Sequence, residues 1–324
     1  MFQTVLVDHF YQNLDPLMEK IAGVSSVASV QYHAEEAFPE KLRQADALMI
    51  ATQLPIDENF ISQLARCKLI CRGGVGYENI DVACATKRGI WVTNTPGYCD
   101  DEVSDHAMAL LLALERRLMV SDADMRLRKQ YGLKNLRGIS GLQGKTAGII
   151  GLGATGRLTA KKLTAFGMHI VYYHPRRCCN ETGDGYIARW VELDELFRTS
   201  DYIILHATST PETWHMVNAR TLALMKPTAG VINVARGELI DTAALCDALR
   251  EGHIACAGLD VFEGALQSEV NAPLFALRNV ILTPHSAWLS ANAERKLLEM
   301  TAQNICDAAV GRIPRNCVNF CAEM

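Results

Sequence analysis

The sequence is poor in the features that mark most non-enzymatic classes. Across 324 residues no apolar run approaches the ~18 residues a membrane span requires. The opening stretch, MFQTVLVDHFYQ, lacks a basic start followed by a long apolar segment, so no secretory leader is expected and a cytoplasmic location follows. Neither sign of charge dominates: 32 basic residues face 36 acidic ones, for a net charge of −4. That balance gives no electrostatic reason to expect nucleic acid or an anionic membrane as partner, and the adjacent Arg176 and Arg177 form only a short basic cluster. The cysteines number eleven, yet none forms a CxxC pair. Cys67 and Cys71 lie four apart, Cys178 and Cys179 are adjacent, and Cys317 and Cys321 lie four apart, with no histidine nearby at metal-ligand spacing. This excludes the common zinc motifs, so no metal is expected, and it suits free thiols in a reducing compartment. Tandem repeats and low-complexity tracts are missing too.

What is present is an alternation of short apolar runs and longer helical stretches, the pattern of a parallel sheet with crossover helices. At about 150 residues per domain the length suits two domains. The first series of strands is expected at Thr4–Val7, Ala47–Ala51, Leu69–Arg72 and Ile90–Asn94, with helices over Leu14–Ile21 and Ile56–Ala65. Asp101–Arg116 carries acidic residues in its first turn and arginines at its far end, which complements the helix dipole and marks a long, mostly buried helix. A second series is expected at Ala147–Gly151, His169–Tyr173, Tyr202–Leu205, Val231–Val234, Ala257–Val261 and Val280–Leu282, and a closing helix from Ser290 to about Val310.

The second series opens on TAGII followed by GLGATG (Gly151–Gly156) and a helical stretch. Strand, tight turn and helix in that order form the dinucleotide fingerprint. Gly151 permits the turn, Gly153 admits a pyrophosphate to the backbone, and Gly156 lets helix pack on strand. Exposed amides at the helix start, from Ala154 and Thr155 onward, would then hold the phosphates. The next strand ends in His174, Pro175, Arg176 and Arg177, where an NAD enzyme ordinarily places an acid for the ribose 2′-hydroxyl. Guanidiniums attract a 2′-phosphate, so NADP is favoured over NAD as cofactor.

Five further segments make the pattern specific: RGGVGYENID (Arg72–Asp81), TNTPGYCDDEVSDHAMALLLAL (Thr93–Leu114), VINVARGELID (Val231–Asp241), AGLDVFEG (Ala257–Gly264) and VILTPHSAW (Val280–Trp288). With these in order, the chain resembles the D-isomer-specific 2-hydroxyacid dehydrogenases over nearly its whole length, and within them the branch that includes the C-terminal binding protein corepressors. The resemblance implies an α/β fold of two flavodoxin- or Rossmann-like domains with parallel sheets. The substrate domain would be discontinuous, residues 1–99 plus 288–324, and the dinucleotide-binding domain would span 100–287. It implies a cleft between them, hinges near Tyr98–Asp101 and Ser286–Ser290, and a homodimer built around the long helix beginning near Asp101. It implies hydride transfer between NADP(H) or NAD(H) and a small 2-oxo or 2-hydroxy acid. Arg236 would bind the substrate carboxylate and its 2-oxo oxygen, as a planar, permanently charged fork can. His285 would be the acid/base, an imidazole having both protonation states within reach at cellular pH. The amides of Val75 and Gly76 would hold the other carboxylate oxygen, Trp288 would cover the substrate side chain, and Asp260, His206 and Ala235 would line the cofactor.

One position departs from the family pattern. Relatives carry a glutamate five residues after the equivalent of Asp260, which bonds the histidine and raises its pKa; here that position is Ala265. Three alternatives stay open. Glu269 or Glu263 could reach His285 from the loop GALQSEVNAPL. The histidine could work unassisted, with reduction favoured at lower pH. Or the chain could be a cofactor-dependent, corepressor-like sensor with weak turnover.

Overall fold

The computed structural model describes residues 1–33, 37–51, 54–129, 133, 136, 139–174, 181–183 and 185–320. The chain divides into two compact units, one made of Met1–Tyr98 with Leu289–Met324 and the other of Cys99–Trp288.

The first unit holds five strands: β1 (Phe2–Val7), β2 (Ser25–Val30), β3 (Ala47–Ile50), β4 (Leu69–Arg72) and β5 (Trp91–Thr93). They pair in the order β2-β1-β3-β4-β5, all parallel. β3, ALMI, is buried at every residue, the mark of a strand covered on both faces by helices. The closing helix, Ala291–Ala309, returns to this unit. Ser290 starts it, its Oγ accepting from the amide of Ala293 at 3.0 Å. β2 is an edge strand, SSVASV, whose serines and half-exposed side chains give no apolar run. It was missed for that reason.

The second unit holds eight strands: β6 (Thr146–Ile150), β7 (His169–Tyr173), β8 (Glu181–Gly183), β9 (Tyr186–Trp190), β10 (Tyr202–Leu205), β11 (Gly230–Asn233), β12 (Cys256–Leu259) and β13 (Val280–Leu282). Their order is β13-β12-β11-β10-β6-β7-β9-β8, parallel except for β8 against β9. The strand order reverses between β6 and β10, the switch point outside which open α/β sheets bind ligands. The six strands expected here are present within a residue or two at each end. The β8–β9 hairpin was not expected: β8, ETG, is three residues long and carries no apolar side chain, and β9, YIARW, is half-exposed. Two apolar cores cover the faces of this sheet, one centred on Phe197, Leu245 and Leu274, the other on Tyr172, Leu163 and Leu111. The α/β class with parallel sheets is therefore borne out.

The long helix runs Asp100–Glu115 and packs on β12 and β11. Gly258 allows the approach: a Cβ there would lie 3.1 Å from Leu110 Cβ and 3.3 Å from Leu114 Cδ1. At its end Glu115 is buried but fully engaged, accepting from Lys145 Nζ (2.6 Å), Tyr202 Oη (2.8 Å) and Ser140 Oγ (3.0 Å). Among the described residues no helix is long and apolar enough to cross a membrane.

Candidate active site

The glycine turn is built as its sequence dictates. Gly151, at φ +96°, would drive a Cβ to 2.7 Å from the amide nitrogen of Ala207, so only glycine lets the end of β6 lie against the end of β10. Gly156 sits on Gly151 so closely that a Cβ would come to 2.2 Å of its carbonyl oxygen. Gly153 is different: a Cβ there would meet nothing within 4 Å. Gly153 is also the N-cap of the Ala154–Ala165 helix and supplies no side-chain cap. Among the described residues the amides of Ala154 and Thr155 donate to no acceptor, and at the positive end of the helix dipole they make an anion cradle that fits a pyrophosphate. Thr155 Oγ1 donates to Asp100 Oδ1 at 2.9 Å, which anchors the turn to the long helix.

His206 follows β10 beside this turn, its Nε2 lying 2.9 Å from Thr159 Oγ1. Desolvation pushes its pKa down to about 4, so the ring is neutral at physiological pH. His174 follows β7, and its carbonyl accepts from Trp190 Nε1 at 3.2 Å. Arg176 and Arg177 lie outside the described residues.

Arg236 leaves β11 on a turn stapled from below. Asn233, fully buried, donates from Nδ2 to the Arg236 carbonyl at 2.8 Å and accepts from the Ala235 amide at 3.0 Å. Arg236 Nη1 in turn donates to the Ala235 carbonyl at 2.7 Å, which fixes the base of the guanidinium. The following Gly237 presses against the chain that leaves β12; a Cβ would lie 1.9 Å from the Phe262 carbonyl oxygen.

His285 leaves β13 with φ +54°, a left-handed conformation that needs enforcement in a residue bearing a Cβ. Asp260 enforces it. The amide of His285 donates to the Asp260 carbonyl, that of Ser286 to Asp260 Oδ1 and that of Ala287 to Asp260 Oδ2, each at 2.9 Å. Thr283 Oγ1 adds a fourth bond to Oδ1, at 2.6 Å. Successive amides converging on one acceptor make a nest, here filled by the protein's own carboxylate. The Asp260 side chain is wholly buried and both of its oxygens are taken by this turn, so its visible task is to hold the histidine. Trp288 follows at the end of the same segment, half-buried.

Of the carboxylates considered as partners for His285, Glu263 is committed elsewhere. Its Oε1 lies 2.7 Å from His215 Nε2, and its Oε2 accepts from the Thr242 amide at 3.2 Å. That correction has a simple cause: Glu263 belongs to the segment pressed under Gly237, which aims it at the start of the Thr242–Arg250 helix. Glu269 is exposed. Ala265 lies in a loop folded around the buried Asn271, whose Nδ2 donates to the carbonyls of Glu263 and Ala265 at 2.9 Å. The residues that sequence reasoning missed are the supporting ones: Asn233, Thr283 and His106 carry no motif by themselves, and only the strand order shows what they touch.

On the first unit, Val75 and Gly76 sit in the loop after β4, framed by Asn94 Nδ2 donating to the Val75 carbonyl (2.8 Å) and the Thr95 amide donating to Gly74 (3.0 Å). Among the described residues the amides of Val75 and Gly76 donate to no acceptor. Burial pushes the thiols of Cys67 and Cys71 up to about 12, so neither is a thiolate nucleophile. Among the described residues no cluster of His, Cys, Asp and Glu could hold a metal ion.

Comparison with known proteins points the same way. The family described as D-isomer specific 2-hydroxyacid dehydrogenase, NAD binding domain, matches residues 108–287. The chain is 43% identical over 285 residues to a glyoxylate reductase of Thermococcus litoralis, covering 86% of this chain and 85% of that one. Among solved structures it superposes on the D-lactate dehydrogenase of Aquifex aeolicus, complexed with NAD and lactic acid, with a TM-score of 0.87 at 26% identity, covering 98% of this chain and all (100%) of the other. An acyclic imino acid reductase in complex with NADPH and D-arginine gives a TM-score of 0.84 at 28% identity, with coverage of 98% and 100%.

Proposed function

The chain belongs to the D-isomer specific 2-hydroxyacid dehydrogenase family of NAD(P)-dependent oxidoreductases, and on that premise we propose that it reduces small 2-oxo acids, glyoxylate among them, to 2-hydroxy acids, of D configuration wherever C2 of the product is chiral, with NADPH preferred over NADH. The observation that carries this is the segment Asp260–Glu263, on which two functional turns are seated together. The Arg236 turn presses on it through Gly237, and the His285 turn hangs from Asp260. β11 and β13 flank β12 as parallel neighbours, so the strand ends bearing Arg236 and His285 are about 10 Å apart at one edge of the sheet. That span suits a guanidinium and an imidazole converging on one small acid.

In this reading the Arg236 guanidinium takes the substrate carboxylate and its 2-oxo oxygen, and stabilises the negative charge that develops on that oxygen. His285 gives a proton to the same oxygen and must be recharged from solvent before the next turnover. A nicotinamide dinucleotide, when bound at the glycine turn, supplies the hydride that reaches the carbonyl carbon. The preference for NADPH is supported by the end of β7, where His174 stands and no acid is present to bond a ribose hydroxyl or repel a phosphate.

A homodimer in the cytoplasm completes the proposal. The helix Leu118–Arg128 has no buried residue, and it exposes Met119 (61%) and Leu127 (81%) beside Leu118 and Met125. An apolar helix surface of this kind suits burial against a second copy.

A panel of 2-oxo acids assayed with NADPH and with NADH, alongside Arg236→Ala and His285→Ala, tests the function. Turnover of at least one acid, faster with NADPH and cut by about 100-fold or more in both variants, is the expected result. Absence of turnover with either cofactor, or wild-type rates in both variants, removes it.

A further inference from the structure

The Asp260 carboxylate seats the turn that carries His285, so the groups packed against that carboxylate bear on how the histidine is placed. The geometry points to His106, acting through Thr283 and Asp260, as a positioning residue for the proton donor; the inference rests on the reading of His285 given above. Gly258 and Asp260 are two apart along one stretch of chain and so share a face of the sheet. Leu110 and His106 are four apart and share a face of the Asp100–Glu115 helix. Because Gly258 lets Leu110 come within ordinary contact of β12, the turn of helix bearing His106 is laid beside Asp260. His106 Nε2 accordingly lies 2.9 Å from Thr283 Oγ1 and 3.5 Å from Asp260 Oδ1.

The donor inventory fixes the direction of these bonds. Thr283 has one hydroxyl proton, and the 2.6 Å bond to Asp260 Oδ1 uses it, since a carboxylate that also accepts from Ser286 and Ala287 can only accept. Thr283 Oγ1 must therefore accept from His106, whose ring carries its proton on Nε2. The chain of donors runs from His106 Nε2–H to Thr283 Oγ1–H to the Asp260 carboxylate. The same carboxylate receives the amides of Ser286 and Ala287 and so sets the left-handed backbone of His285. His106 and Thr283 do not touch substrate in this scheme. They fix the rotamer and charge environment of the group that fixes His285.

The test compares His106→Leu and Thr283→Val, which remove the donors, with His106→Gln and Thr283→Ser, which keep a donor at the same place. Because misplacing a reacting group by about 1 Å costs on the order of 100-fold, kcat is expected to fall about 10- to 100-fold in the first pair. KM for the 2-oxo acid should stay within about twofold, the mark of an interaction that matters in the transition state and not in binding. NADPH affinity and melting temperature, measured on every variant, identify one that has misfolded; if Thr283→Val does, the His106 pair decides. Gln and Ser should restore most of the rate. Nitrogen-15 labelling of the histidines provides a second reading that needs no turnover: His106 should show the Nε2–H tautomer, and the ring signals of His285 should move in His106→Leu and Thr283→Val. An Nδ1–H tautomer, unmoved His285 signals, or unchanged kcat in both donor-removing variants overturns the inference. Lack of turnover in the wild-type enzyme would instead remove the functional reading, and the nuclear magnetic resonance result would still decide the positioning.

Discussion

The turns that carry Arg236 and His285 are each held by a buried polar side chain at the end of a β-strand, but the two holders differ in kind. Asn233 is neutral and both gives and receives: it donates to Arg236 and accepts from Ala235, three and two residues along its own chain. Asp260 is a carboxylate and only receives, from donors more than twenty residues away. An amide can staple an ordinary turn. A carboxylate demands that several donors converge, and the backbone of residues 285–287 can do so only with His285 in the left-handed region. The permanently charged Arg236 thus rests on a local device, whereas the residue that must change protonation rests on a long-range one.

The largest effect is expected from removing the groups the turns carry. His285→Ala should lower kcat about 10²- to 10⁴-fold, the usual worth of a placed general acid, with Arg236→Ala raising KM as well. Gly237→Ala comes next, because its Cβ would collide with the Phe262 carbonyl and push the Arg236 turn off its seat. Loss of most activity together with a lower melting temperature is expected, while Gly153→Ala, which meets no protein atom, should keep the fold and weaken cofactor binding alone.

Exchanging the holders tests the comparison most directly. Asp260→Asn sets an NH₂ group or a neutral oxygen against donors that now meet a carboxylate, at a cost of about 1.5–3 kcal/mol, the range for hydrogen bonds to charged groups. Asn233→Asp forfeits one donor to Arg236 and should cost about 1–3 kcal/mol. Chemical denaturation of both variants measures this, and equal costs with equal losses of kcat would argue that the two seats do the same job.

pH supplies the smaller effects. His206 is neutral in the fold down to about pH 4, whereas an unfolded histidine takes up a proton near its ordinary pKa of about 6.5. The unfolded chain therefore binds more protons between those values, and stability should decline as pH falls through that window. Thermal melts should show a shallower decline for His206→Asn. Ala265→Glu is the mildest test: a carboxylate brought beside His285 would favour its charged form and extend reduction to higher pH. An unchanged pH–rate profile would show that the loop folded around Asn271 keeps position 265 out of reach.

Much of this was legible in the sequence wherever the signal is local. Thr146–Ile150 and Tyr202–Leu205 are strands because continuous apolar runs can be buried on both faces of a parallel sheet. GLGATG announced its turn because Gly151 and Gly156 each meet a separate steric demand while Gly153 leaves open space, and the family comparisons bear out the cofactor class. The edge strand Ser25–Val30 and the hairpin of β8 and β9 were not legible, since half-exposed edges need no apolar pattern. The assignment of Glu263 as a possible partner for His285 failed because proximity in sequence does not give direction.

By itself the sequence determined the strand–helix alternation, the glycine cradle and the chemical types of the residues offered to a substrate, because each depends on periodicity, backbone freedom or side-chain charge within a few neighbours. Only the tertiary structure decided that Asp260 faces the histidine turn, that His106 lies over Thr283, and that Glu263 belongs to His215. Those contacts depend on which strands lie side by side and how closely a helix can approach them, and no local pattern carries that information.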